Sequence, residues 1–220
     1  MFSGCASLKE IENLDKLDTA HVTTFSTMFG TCRSLEELDL SSFDTTSLTR
    51  IDSMFTNCIA LKTLNLSNWK TSKITNITTV FSNCANLKVI NFDGWEDVTE
   101  ATTASSMFYN CYSLQNIDIS WLHLSNECTS VYSMFSGCWS LKRLDIPNDW
   151  DLTGIGNANN TANSMFYNCY SLEEITGITN WTFRLTNSLA SMFANNYSLK
   201  HLDVSGWDVS TVTSLASIFS

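Results

Sequence analysis

The chain has 220 residues, of which 44% are hydrophobic and 15% are charged, and its formal net charge at pH 7 is −10. Apolar and aromatic side chains are abundant enough for a folded core, which excludes an intrinsically disordered chain. Lys and Arg number 12 against 22 Asp and Glu, so the basic surface that nucleic-acid binding requires is missing. No apolar run approaches the roughly 18 residues of a membrane span, and we expect no membrane insertion within this segment.

The dipeptide Met-Phe, replaced twice by Val-Phe or Ile-Phe, recurs along the whole chain. Its first residue stands at positions 1, 28, 54, 80, 107, 134, 165, 192 and 218. A period of 26 or 27 residues, with one longer step of 31, is typical of solenoids, in which each repeat forms one coil of a superhelix. We number the coils 1 to 8 from these residues and count positions within a coil from them. Residues 1–220 are predicted to form a single solenoid, uncapped at both ends and excerpted from a longer protein.

Each coil is predicted to contain one short strand. Position +7 is Leu in all eight coils, position +10 is Leu or Ile in all eight, and position +12 is apolar in six. This alternation predicts a strand whose +10 and +12 side chains face the core while +11 faces solvent. Strands of successive coils are expected to pair in parallel and to stack their apolar residues into one continuous core.

A short helical segment is predicted before each strand. Apolar residues at −3, +1, +4 and +7 follow helical spacing. Position −5 is Thr in six coils, and we expect this threonine to cap the helix. The predicted fold class is therefore an α/β repeat, with one short parallel strand and one short helical segment in each coil of 26 or 27 residues.

Cysteine occupies position +4 in seven coils, and Asn196 takes that position in the eighth. Eight cysteines are compatible with disulfide bonds. Equivalent positions of a solenoid, however, all have the same neighbours above and below, so nothing selects particular pairs. We expect buried free thiols that act as small apolar side chains.

Three units show the repeat most clearly: MFGTCRSLEELDLSSFDTTSLT, MFTNCIALKTLNLSNWKTSKIT and MFANNYSLKHLDVSGWDVSTVT. Their shared Met-Phe, Cys, Leu-x-x-Leu-Asp-Leu-Ser and Trp-Asp pattern resembles the 26-residue leucine-rich repeat of BspA-type bacterial surface proteins, also found in mycoplasma surface lipoproteins. The resemblance covers nearly the whole chain. It implies a leucine-rich-repeat-like solenoid that is extracellular, at the cell surface, and used for adhesion or ligand binding. It identifies no ligand, because the shared positions are core positions.

Two outward-facing positions are candidates for binding. Position +5 is small or varied in coils 1 to 4 but aromatic in coils 5 to 8, as Tyr112, Trp139, Tyr170 and Tyr197. Such a row suits stacking on sugars or anchoring a protein, although its rings could also simply stack on one another. Position +11 is Asp or Asn in six coils and includes Asp118 and Asp145. This polar stripe could bind a ligand, or it could be a solvated face hydrogen-bonded along the sheet.

Metal, cofactor and catalytic sites are not predicted. The insertion at residues 147–160 contains Asp149-x-Asp151-x-x-Gly154, reminiscent of a calcium loop, but Asn160 replaces the acidic residue expected at its end. A protruding loop is the expected structure. The three histidines have no repeated register, and no nucleophile or phosphate-binding motif occurs, so we expect no enzyme activity.

Two functions remain open. The first is a surface module that binds a host or neighbouring-cell protein or glycan through its exposed faces. The second is an inert spacer that projects another domain from the cell surface. The aromatic enrichment of coils 5 to 8 favours binding, since a spacer would be uniform along its length. The lack of a charged or apolar cluster common to all coils favours the spacer. A monomer, or weak end-to-end association, is expected.

Overall fold

A computed structural model describes residues 1–156 and 162–220. It contains five three-residue strands: β1 (Glu37–Asp39), β2 (Thr63–Asn65), β3 (Val89–Asn91), β4 (Arg143–Asp145) and β5 (Glu174–Thr176). The strands occupy positions +9 to +11 of coils 2, 3, 4, 6 and 7. Two 3₁₀ segments, Leu14–Lys16 and Leu152–Gly154, lie outside the repeated pattern. A search of the described residues finds no helix long and apolar enough to cross a membrane.

The strands form two parallel sheets, but coils 1, 5 and 8 have no strand among the described residues, so the prediction of one strand in every coil is wrong. One sheet has the order β1-β2-β3 and the other β4-β5. Equivalent positions pair without offset, so that Leu38 lies beside Leu64 and Leu64 beside Ile90. The +10 residues Leu38, Leu64 and Leu144 are buried, while Asp145 at +11 is exposed. The predicted parallel pairing is confirmed within the two sheets, and β1 and β4 show the predicted inward and outward faces, whereas Ile90 and Asn91 of β3 are both half-buried.

The prediction of a helical segment before each strand is wrong. In the described residues tight turns occupy that part of each coil. In coil 2 the Met28 N–H donates to the Phe25 carbonyl at 2.9 Å, and Thr27 has a left-handed φ of 57°. A positive φ at the third residue and this hydrogen bond are the features of a type II turn. A second turn of this kind closes at Cys32. Positions −1 and +3 have positive φ in every coil in which they occur.

The other amides of these segments show why turns replace a helix. The Phe29 N–H donates to the Met54 carbonyl of the next coil at 2.9 Å, and the Phe55 N–H donates to the Val80 carbonyl at 2.9 Å. Alternate amides thus bond to the neighbouring coil, while those between them close the turns. An α-helix would commit its amides to carbonyls four residues earlier, which would leave these segments without backbone bonds to the next coil. Positions −3, +1, +4 and +7 still point inward, so the spacing resembles that of a helix.

Stacked phenylalanines form the centre of the core. The nine rings at +1, from Phe2 to Phe219, stack with centroid separations of 5.2 to 5.7 Å. Beside them each inner cysteine donates its thiol to the preceding coil's Phe carbonyl, as Cys58 does to Phe29 at 3.1 Å. All eight cysteines are free thiols and seven are buried, as predicted. Burial raises the pKa of the Cys58 and Cys169 thiols to about 12, which keeps them protonated as donors.

The threonines at −5 link the coils and do not cap a helix, so that prediction is also wrong. The Thr49 hydroxyl donates to the Thr23 carbonyl at 3.0 Å, and the Thr75 hydroxyl donates to the Thr49 carbonyl at 3.3 Å. Thr102 and Thr129 continue the series. With no helix to cap, each hydroxyl instead satisfies a carbonyl at the coil–coil boundary.

Candidate functional site

The four aromatic residues at +5 lie on successive coils, and we call Tyr112, Trp139, Tyr170 and Tyr197 the aromatic ridge. Each follows a side chain held in the core. The Cys138 thiol, for example, donates to the Phe108 carbonyl at 3.2 Å. Because +4 is fixed inward, +5 projects outward. Trp139 and Tyr197 are 42% and 76% exposed, and the other two rings are half-buried.

The ridge is a continuous stack of rings. Tyr112 and Trp139 have centroids 4.0 Å apart with planes at 22°. Trp139 and Tyr170 are 5.8 Å apart and tilted by 30°. The Tyr170 and Tyr197 ring centroids are 5.6 Å apart, and the two ring planes are nearly parallel, with an angle of 3° between them. The structure therefore brings together the four aromatic residues predicted from the sequence.

Stacking determines which chemistry the ridge can offer. The faces of the inner rings pack against one another, and a separation of 4.0 to 5.8 Å leaves no room for a sugar ring between them. Trp139 and Tyr197 are the most exposed residues of the ridge. Burial raises the pKa of Tyr112, and Tyr109 adds to the shift, so this phenol remains a neutral donor. The Tyr197 hydroxyl donates to Asn195 Oδ1 at 3.0 Å. Ring edges and phenol groups are typical of protein interfaces.

The side chains at +11 are engaged in local turns. Asp39 Oδ1 accepts the Ser41 N–H at 2.9 Å, and Asp118 Oδ1 accepts the Ser120 N–H at 2.9 Å. The same contact recurs for Asn65, Asn91 and Asp203. These backbone hydrogen bonds lower the pKa of Asp39 and Asp203 below its usual range, and the Ser41 and Ser205 hydroxyls contribute. In these five coils the polar stripe therefore closes the turn after the strand position.

The polar stripe is interrupted at coil 5, which corrects the expectation of evenly stacked side chains. Asp118 belongs to no strand, whereas Asp145 lies in β4. Asp145 bonds with the Arg143 guanidinium, the first cause of its lowered pKa, and accepts the Thr176 hydroxyl at 2.6 Å. Arg143 also pairs with Glu174. The charge of Asp145 is thus offset by Arg143 of the same coil. Asp118, in contrast, has no ion-pair partner among the described residues.

Asp118 and Asp145 line one cavity on the sheet side of coil 5, which we call the coil 5 groove. Residues 88–90 form one wall and residues 114–118 form the other, with Ser120 and Asp145 also in the lining. Its volume is about 720 Å³. A comparable cavity of about 710 Å³ lies beside β1, where coil 1 has no strand. Both cavities lie where the sheet pairing is missing.

The carboxylates of the insertion have local partners. Asp149 Oδ2 lies 2.6 Å from His123 Nδ1, and Asp97 Oδ1 lies 3.4 Å from His123 Nε2. Asp151 Oδ1 accepts the Thr153 N–H at 2.9 Å and so caps the second 3₁₀ segment. Asn160, the residue that argued against calcium, lies outside the described residues. Across residues 1–156 and 162–220, no group of three or more His, Cys, Asp and Glu could hold a metal ion.

Val89 and Ile117 are features of the coil 5 groove that sequence reasoning missed. Val89 at +9 is 54% exposed, where the equivalent strand residues are Glu, Thr, Arg and Glu. Asn116, also at +9, is a poor strand former. The sequence did contain a signal that the strand pairing stops here. Position +9 is a valine in coil 4 and an asparagine in coil 5.

The sequence matches the family model described as Mycoplasma protein of unknown function, DUF285, over residues 1–122 and 129–220. No curated protein matches it. The predicted resemblance to BspA-type leucine-rich-repeat surface proteins is confirmed at the level of family.

Solved leucine-rich-repeat proteins are similar at low identity. The T. pallidum Leucine Rich Repeat protein is 18% identical, with 76% of this chain and 72% of that chain covered and a TM-score of 0.36. A leucine-rich repeat protein from Bacteroides ovatus is 16% identical, with 83% of this chain and 64% of that chain covered and a TM-score of 0.31. A leucine rich cell surface protein from Faecalibacterium prausnitzii is 20% identical, with 93% of this chain and 68% of that chain covered and a TM-score of 0.29.

Proposed function

This chain belongs to the family described as Mycoplasma protein of unknown function, DUF285, and we propose that it is a binding module of the cell surface. In this proposal the solenoid is extracellular and non-enzymatic, and it recognises a protein of the host or of a neighbouring cell through the aromatic ridge. The BspA-type resemblance supports the location, and the chemistry of the ridge supports the partner class.

The observation that carries the proposal is the restriction of the ridge to coils 5 to 8. Coils 2 to 4 pack the same phenylalanine stack and the same thiol hydrogen bonds with Arg33, Ile59 and Ala85 at +5. Folding of a coil therefore does not require an aromatic residue there. Large, partly exposed aromatic side chains are enriched at the centres of protein interfaces.

A protein fits the ridge better than a glycan does. Sugars bind aromatic side chains by lying on an open ring face, and the inner faces of this stack are covered by neighbouring rings. A protein surface can instead pack against a row of ring edges and accept hydrogen bonds from the phenols. A glycan that binds this chain would have to use the outer face of Tyr197 or another surface.

The test is a panel of extracellular-matrix proteins and glycans probed with the 220-residue chain. A variant with alanine at Tyr112, Trp139, Tyr170 and Tyr197 is compared with a control in which Arg33 and Ile59, at the same position, become alanine. We expect capture of a protein, weakened at least about 30-fold in the ridge variant and unchanged in the control, as for interface hot spots. A variant with phenylalanine at the three tyrosines keeps the rings, and circular dichroism establishes folding of every variant.

The second candidate is a spacer that only projects another domain. It is favoured by the hydrogen bonds and ion pairs that engage many polar side chains within the solenoid, such as Lys62 with Glu36 at 2.6 Å. Absence of any captured protein or glycan, or equal capture by the ridge variant and the unmodified chain, would contradict the ridge proposal. The first of these results would favour the spacer.

A further inference from the structure

The parallel ladder of the sheet is interrupted at one coil. β3 pairs with β2 and β4 pairs with β5, but residues 115–118 of coil 5 lie between β3 and β4 without forming a strand. The neighbouring parts of coil 5 remain attached. Ser113 N–H donates to the Ala85 carbonyl at 3.2 Å, and Val98 N–H donates to the Trp121 carbonyl at 2.8 Å. The interruption is therefore local to the strand position.

The interruption leaves some backbone groups of coils 4 and 5 without a backbone hydrogen bond in the part of the chain that the structure describes. The Lys62 carbonyl accepts the Lys88 N–H at 2.9 Å and the Val89 N–H at 3.2 Å. The equivalent carbonyl of coil 4, at Lys88, accepts no backbone hydrogen bond among the described residues, and neither Asn116 nor Ile117 donates or accepts one. Parallel strands alternate the direction of their amides. Since the Val89 N–H points to β2, the N–H and carbonyl of Ile90 point into the coil 5 groove.

The lining of the groove offers a stretch of backbone beside apolar side chains, as an extended peptide needs. Four residues of strand span about 13 Å at the usual rise, which matches the stretch from +8 to +11 along the wall. Val89 is 54% exposed, and Ile90 and Ile117 are half-buried beside it. An exposed row of unpaired amides next to apolar side chains is the surface on which β-strand addition occurs.

Charge indicates the character of the incoming segment. Lys88 is exposed at the start of one wall, Asp118 is exposed at the end of the other, and neither has an ion-pair partner among the described residues. A segment that runs parallel to β3 would place an acidic residue beside Lys88 and a basic residue beside Asp118. The net charge of −10 also favours a basic partner.

We propose that the coil 5 groove binds an extended segment of a partner protein by β-strand addition to β3. The segment runs parallel to β3 and has a β-branched centre and a basic carboxyl-terminal end. Its amides and carbonyls pair with Ile90 and the Lys88 carbonyl, its β-branched side chains contact Val89 and Ile117, and its basic residue meets Asp118. This site is separate from the aromatic ridge and does not rest on it.

The test uses the ¹⁵N-labelled 220-residue chain and the blocked peptide acetyl-Glu-Val-Thr-Val-Lys-amide. Without peptide, the amides of Asn116 and Ile117 should exchange with solvent far faster than the paired Leu64 amide. With peptide, we expect saturable chemical-shift changes centred on residues 88–90 and 115–118. The same peptide N-methylated at every internal residue lacks the amide donors and should cause no saturable change.

Matched variants separate this groove from the rest of the sheet. Val89→Lys should weaken peptide binding at least about tenfold, because it removes the apolar contact that the bound peptide would bury. Thr63→Lys at the same position of β2 should not weaken it. Asp118→Asn should weaken it about threefold, as for an exposed ion pair, while Asp39→Asn should not.

Three outcomes would overturn the proposal. The first is protection of Asn116 and Ile117 equal to that of Leu64, since the ladder would then be closed. The second is peptide binding that N-methylation or Val89→Lys leaves unchanged. The third is concentration-dependent self-association that Val89→Lys abolishes, which would assign the groove to a second copy of the chain.

Discussion

Coils 2 to 4 and coils 5 to 8 share one core but differ on their surfaces. In coils 2 to 4 the strands β1, β2 and β3 pair in one closed ladder, and position +5 carries Arg33, Ile59 and Ala85. In coils 5 to 8 the ladder is interrupted, an insertion follows β4, and position +5 carries the aromatic ridge. The phenylalanine stack passes through both regions with the same spacing.

The difference separates what folding requires from what it tolerates. The regular coils show that the Phe stack, the thiol hydrogen bonds and the tandem turns are sufficient for a coil to pack on its neighbour. The ridge and the coil 5 groove are additions to that scheme. A solenoid coil contacts only its two neighbours, so one coil can depart from the pattern without disturbing distant ones. The aromatic ridge lies in the second region, and the coil 5 groove lies at the boundary between the two regions.

The largest expected effect concerns the shared core. Phe81→Ala and Phe166→Ala each remove a fully buried ring with stacked neighbours at 5.2 to 5.7 Å. Each should lower the free energy of unfolding by about 3–5 kcal/mol, and the two losses should agree within about 1 kcal/mol. Denaturant unfolding followed by circular dichroism measures both. A much smaller loss for Phe166 would mean that coils 5 to 8 are packed more loosely. That result would contradict a core that is the same in both regions.

A smaller effect is expected where coil 8 departs from the thiol series. Asn196 Nδ2 donates to the Phe166 carbonyl at 2.9 Å, as a thiol would, but its Oδ1 is buried and has no hydrogen-bond partner among the described residues. Asn196→Cys keeps the donor and removes the unsatisfied acceptor, so we expect stabilisation of about 1 kcal/mol.

The reverse change, Cys84→Asn, is the matched control for the Asn196 prediction. It introduces an amide into a fully buried site and should destabilise the protein. Thermal unfolding of both variants is the measurement. Destabilisation by Asn196→Cys would show that the amide has a role in coil 8 that the repeat does not explain.

The smallest effect is a pH dependence common to both regions. Backbone hydrogen bonds from Ser41 and Ser205 lower the pKa of Asp39 and Asp203 in the folded protein. A carboxyl whose pKa is lower when folded stabilises the protein above its unfolded pKa of about 3.9, and this contribution is lost as the pH falls through the folded pKa. The melting temperature should therefore fall as the pH is lowered through and below about 4.

Asparagine at these two positions tests the origin of the pH dependence. Asp39→Asn and Asp203→Asn should each flatten the acid side of the melting profile slightly, and by similar amounts, because the turn geometry is the same. Melting curves at several pH values measure this. A response confined to Asp203 would assign the dependence to the end of the solenoid and not to the repeated turn.

The sequence allowed the core and the ridge to be predicted for simple reasons. Phe29 and Leu35 recur at fixed offsets in every coil, and residues at one offset share one environment in a solenoid. The same rule placed Tyr112, Trp139, Tyr170 and Tyr197 in one row. The helix prediction failed because the spacing −3, +1, +4 and +7 fits both a helix and tandem turns. Thr27 and Thr31, with left-handed φ of 57° and 64°, carry no side-chain signal for that backbone, unlike Asn57 or Gly137.

By itself the sequence determined the period, the inward positions, the parallel pairing of strands and the family to which the chain belongs. The tertiary structure alone decided how the backbone amides are shared between coils, because that choice depends on carbonyls about 26 residues away and not on local propensity. It also decided that the ridge rings cover one another's faces, and that the ladder opens beside Val89. Each is a property of contacts between coils, which a pattern within one coil does not contain.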